Sequence, residues 1–107
     1  MAQNQIVTPY DDSGQAANAS KTFPITLGGT QVVKASPGRL VKVSVTTVTA
    51  SAAVTIYDNA STNAGTPLLV IPIAAAAGTI YDVQLPALNG ITVASTGATG
   101  NITVGYF

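Results

Sequence analysis

The chain has 107 residues, enough for one domain, and only 7% of them are charged, against about 25% in ordinary soluble domains. Its four basic and four acidic side chains cancel, so there is no basic field to attract nucleic acid or an anionic membrane. With no Cys and no His, disulfide frameworks, thiolate metal sites and the commonest acid–base group are excluded.

Residues 1–20 are rich in Gln, Asn, Ser and Asp and show no periodic apolar face. They read as an extended N-terminal arm, too polar to fold alone, which orders against another chain. Residues 3–8 suit strand addition, with Gln3 and Gln5 supplying amide hydrogen bonds and Ile6 seating in an apolar pocket. Tyr10 is a second anchor. The first residues lack the basic start and apolar core of a signal peptide.

Residues 21–107 form the second unit, a β-domain, because Thr, Val and Ile crowd it and β-branched side chains suit a pleated surface. Residues 22–27 make the first strand. Gly28-Gly29 is a two-residue hairpin signal, and 30–35 is the return strand. Ser36-Pro37-Gly38 is a turn. In 39–48, Val41, Val43 and Val45 face one way and Lys42, Ser44 and Thr46 the other, as in a half-buried strand. Residues 53–58 follow, with Val54 and Ile56 inward. After an Asn/Ser/Thr/Gly loop at 59–67, the apolar run 68–73 reads as a strand covered on both faces. Residues 74–78 are a linker. In 79–85, Tyr81, Val83 and Leu85 face inward, and Pro86 ends the strand. Asn89-Gly90 turns, 91–95 is a strand, 97–100 turns, and 101–107 is the last strand. About eight short strands predict a single antiparallel β-sandwich, jelly-roll-like first and immunoglobulin-like second. No apolar run approaches the ~20 residues of a membrane-spanning helix.

The tetrapeptide TIYD occurs at 55–58 and again at 79–82, and the two copies hold half of the acids. In the first copy Ile56 faces inward and Asp58 ends the strand. In the second Tyr81 faces inward, so Asp82 points out. The copies sit at opposite phases of the pleat and do not make a duplicated acidic site. A carboxylate pair for acid–base catalysis needs two acids on one cleft, which nothing in the spacing provides. A nucleophilic Ser or Thr has no His to activate it. The loop 58–65 is rich in oxygen ligands but carries one carboxylate, too few for a calcium loop. Phosphate-binding glycine loops are absent. The triplets at Asn18, Asn59 and Asn101 match the glycosylation pattern by chance in so Asn- and Thr-rich a chain. The sequence thus names no catalytic residue, cofactor or metal, and predicts a non-enzyme. The terminal Tyr106 and Phe107 are expected either at a subunit contact of a dimer or trimer or in closing the chain's own sandwich.

The runs GRLVKVSV (38–45), VTIYDNAS (54–61), GTPLLVIP (65–72), NGITV (89–93) and NITVGY (101–106) resemble small β-proteins of tailed-bacteriophage structural modules. These include capsid decoration, or cement, proteins with jelly-roll-like folds and domains of head fibres and tail spikes. The resemblance covers about 38–107 and is a pattern of strands and turns, with no catalytic signature. It implies a virion protein, assembled in the host cytoplasm, that sits on the capsid exterior and bridges subunits of the major capsid protein. Neighbouring copies of itself would be its other partners. Two alternatives stay open: a receptor- or carbohydrate-binding module of a head fibre or tail, with a Tyr/Asn/Asp patch on loops 59–67 or 97–100, and a minor tail or connector protein.

Overall fold

The structure, a computed structural model, describes residues 21–107; the expectations placed on Gln3, Gln5, Ile6 and Tyr10 lie outside them. Among the described residues eight strands form: β1 (Lys21–Thr26), β2 (Thr30–Lys34), β3 (Gly38–Ala50), β4 (Val54–Asp58), β5 (Thr66–Ile71), β6 (Ile80–Ala87), β7 (Ile91–Ala94) and β8 (Thr99–Tyr106). They make two four-stranded antiparallel sheets, in the orders β1-β8-β3-β6 and β2-β7-β4-β5. The pairing is nested. First pairs with last, second with seventh, third with sixth and fourth with fifth. One long hairpin is rolled on itself, which is the jelly-roll form of the β-sandwich.

Alternation fills the gap between the sheets. Leu40, Val43, Val45, Ile102 and Val104 from one sheet meet Val54, Ile56, Ile71, Ile91 and Val93 from the other, all buried. Val41 is buried as expected, but it lies outside that cluster. The register between β3 and β8 shifts between Leu40 and Lys42, so Val41 is an extra residue in β3 and Leu40 takes the inward place.

Three local expectations are corrected. Gly28-Gly29 does not close a hairpin, because β1 pairs β8 and β2 pairs β7 in opposite sheets. The diglycine instead lets the chain leave one sheet for the other, both residues at positive φ. The run 68–73 is not covered on both faces. β5 is an edge strand, Leu68 and Leu69 are half-buried and Val70 is 54% exposed. Pro86 does not end its strand; it sits inside β6, opposite Arg39. β6 is also an edge, where a missing N–H costs no ladder bond. The same edge position explains why the inward row Tyr81, Val83, Leu85 is only partly covered, with Leu85 41% exposed.

Candidate functional site

Among the described residues the buried polar groups are Thr49, Asp58, Thr92 and Ser95. A buried polar atom must find a partner or carry its full desolvation penalty. Each of these finds one at a place where the chain crosses between sheets or rounds a loop. Ser95 serves the β1–β2 crossing: its hydroxyl accepts from the Gly28 N–H (2.9 Å) and donates to the Gly29 carbonyl (3.1 Å). Thr49 serves the β5–β6 crossing, donating to the Pro72 carbonyl and accepting from the Ala75 N–H, both at 2.9 Å. Thr92 holds the β4–β5 loop through the Asn59 carbonyl at 2.8 Å.

Asp58 is the charged member of this set, 8% exposed and at the end of β4. It lies in the inward phase of Val54 and Ile56. Its Oδ1 accepts from the Asn89 N–H at 2.7 Å and, more weakly, from the Gly90 N–H at 3.4 Å, tying β4 to the β6–β7 crossing. Burial pushes its carboxyl up. The backbone N–H groups of Asn89, Leu88 and Gly90, with the Asn89 side chain, outweigh that and hold it below the usual carboxylate range. The second TIYD acid has a different setting: Asp82 is exposed on the outer side of β6 and accepts from the Gln84 side chain at 2.9 Å. The expected opposite phases of the two copies are therefore what the fold shows.

The sign of the Asp58 effect on stability follows. A carboxyl whose folded pKa is depressed contributes stability that is fully present above its unfolded pKa of about 3.9 and is lost as pH falls through the folded value. We expect unfolding free energy to decline below about pH 4, and Asp58→Asn to flatten that decline. Urea melts of both proteins across the acid range check this; parallel pH curves would remove Asp58 from the account.

The remaining candidates distribute as follows. Tyr106 packs against the chain's own core, opposite Leu40. Phe107 extends the ladder, exchanging backbone hydrogen bonds with Arg39 at 2.6 and 3.0 Å. Both are half-buried: the Tyr106 side chain helps to close the sandwich, and Phe107 joins it through its main chain. In the 59–67 loop, the Asn59 amide is engaged internally: Oδ1 accepts from the Ser61 and Thr62 N–H groups and Nδ2 donates to the Ala64 carbonyl. Sequence reading placed Asp58 at a strand end but missed its clamp, because residue 58 meets residues 89 and 90 only through the nested pairing.

The two outer faces differ. On the β1-β8-β3-β6 sheet, Lys42 lies opposite Asp82, and Pro24, Thr26, Thr46, Asn101 and Thr103 line an open depression. On the other sheet, the register puts Thr30, Ala94, Thr55 and Val70 in one row and Val32, Thr92, Tyr57 and Pro67 in the next; Thr92 is fully buried there, bonded to the Asn59 carbonyl, and half-buried Lys34 ends β2. No cluster of three or more His, Cys, Asp or Glu side chains occurs among the described residues.

No protein-family model, curated protein or solved structure matches the chain.

Proposed function

We propose that this chain is a non-enzymatic virion protein of a tailed bacteriophage that decorates the capsid exterior and stabilises it by bridging capsid subunits. The observation that supports this best is the surface. The outer row Thr30, Ala94, Thr55 and Val70 carries no charge, and such a strip can lie on another β-rich protein without desolvating an unpaired charge. Jelly rolls recur in viral shells and in lectins, so the fold alone does not choose between them. The lectin-like alternative draws on loop 59–67, and there Asp58 and the Asn59 amide already bond to the chain itself.

Binding only the assembled shell stabilises that shell by mass action, and each bridging copy adds its share. Quantitative mass spectrometry of purified particles tests the reading. A copy number comparable to that of the major shell protein is expected. A few copies per particle would assign the chain to a connector or fibre, and absence from particles would end the proposal.

The arm at 1–20, with Gln3, Gln5, Ile6 and Tyr10, is proposed to reach the neighbouring capsid subunit, while exposed parts of Tyr106 and Phe107 meet an adjacent copy. Deleting residues 2–12 should weaken attachment to particles and leave the melting temperature of the β-domain nearly unchanged. Attachment should also respond little to added salt, since few charges take part. A pelleting assay with intact and shortened chains at low and high salt reads both. Equal attachment of the shortened chain would remove the arm from the mechanism.

A further inference from the structure

The sequence contains one Asn-Gly pair, Asn89-Gly90, and the fold sets it against the buried carboxylate of Asp58. Asn-Gly is the dipeptide most open to spontaneous deamidation, because a following residue without a side chain leaves the next backbone nitrogen free to attack. In that reaction the Gly90 nitrogen loses its proton and bonds to Asn89 Cγ. Ammonia leaves, and a five-membered imide forms. Water then opens the imide at either carbonyl, giving aspartate or isoaspartate. The net change is one water in and one ammonia out, with no redox partner.

We propose that Asp58 shields the Asn89-Gly90 peptide from this reaction, and that deamidation at Asn89 is a one-way mark left when this turn opens. Three features of the site support it. The Gly90 N–H, whose proton must be lost, faces a carboxylate, and a second negative charge beside Asp58 is disfavoured. The backbone has no room to turn toward the cyclic geometry. A Cβ on Gly90 would stand 2.5 Å from the Lys34 carbonyl oxygen and 2.8 Å from both Ala60 Cα and the Asn59 carbonyl oxygen. Asn89 itself is held by its own N–H on Asp58 at 2.7 Å.

The product explains the one-way character. Either acid places a new carboxylate next to Asp58, and isoaspartate also adds a carbon to the main chain at the tightest point of the crossing. The reopened turn cannot close as before. This inference is independent of the virion reading and needs no particle to test.

Peptide mass mapping after incubation at mildly alkaline pH follows the amide-to-acid mass change at Asn89. Three samples are compared: the folded wild-type chain, the same chain in urea, and folded Asp58→Asn, which keeps the side-chain shape and removes the charge. Deamidation should be about tenfold or more slower in the folded wild type than in urea, as a protected amide requires. Folded Asp58→Asn should fall clearly between the two. Equal rates in folded and unfolded wild type would overturn the proposal, as would a folded Asp58→Asn no faster than wild type. If that variant does not fold, folded Asp58→Ser, smaller and also uncharged, takes its place with the same expected and overturning outcomes.

Discussion

Replacing Gly100 with Ala should destabilise the domain by about 2–6 kcal/mol, combining backbone strain with overpacking. Gly100 lies in β8 at φ +116°, a conformation that residues with a Cβ rarely adopt. The added methyl would stand 2.5 Å from the Val48 carbonyl oxygen and 3.0 Å from that of Thr47. Both obstacles are main chain, so no side chain can swing away. The register between β3 and β8 shifts on either side of Thr47, and Gly100 fits the resulting close approach of the two backbones. Its carbonyl also accepts the Leu27 N–H at 2.9 Å, so a shift would disturb the start of the β1–β2 crossing. Chemical denaturation of Gly100→Ala beside Gly29→Ala is the test. Gly29 also has positive φ, but nothing lies within 4 Å of its missing Cβ. A Gly100 variant no less stable than the Gly29 variant would show that the β3–β8 contact is looser than described.

Ile56→Ala should cost about 2–5 kcal/mol, the range for truncating a fully buried aliphatic side chain. Ile56 is fully buried on β4, pairing Leu69 on one side and Val93 on the other. It belongs to the core it shares with Val43 of the facing sheet. Two flanking strands and an opposite sheet leave little freedom to collapse into the cavity. A loss below about 0.5 kcal/mol, the scale of an ordinary surface substitution, would mean that the inward row of β4 was wrongly placed.

What the sequence made legible was local. Val43, Val45, Val54 and Ile56 announce their side of the pleat by alternation alone, and both copies of TIYD were read in the right phase for the same reason. Pairing partners were not legible. Gly28-Gly29 carries the letters of a hairpin, and a chain leaving one sheet for another uses the same permissive backbone. The run 68–73 reads as doubly covered because apolar content cannot distinguish a central strand from an edge that has bulky neighbours on one side only. Pro86 reads as a stop because its missing N–H matters inside a sheet, whereas β6 turns that side outward. The Asp58 clamp escaped for a related reason: one acid at a strand end is ordinary, and its partners lie 31 and 32 residues away.

The nested pairing also orders events during synthesis. β4 and β5, in the middle of the chain, are the closest partners in sequence, and each outer pair encloses a longer loop. β1 is translated first and its ladder partners, Asn101 to Tyr106, almost last. Its edge therefore stays unpaired until β8 has left the ribosome. Closing so long a loop is entropically slow, and unmatched strands are open to the wrong neighbour while they wait. Each molecule can complete its own roll only once β8 has emerged, and crowded polysomes would be the place where that step most readily goes astray.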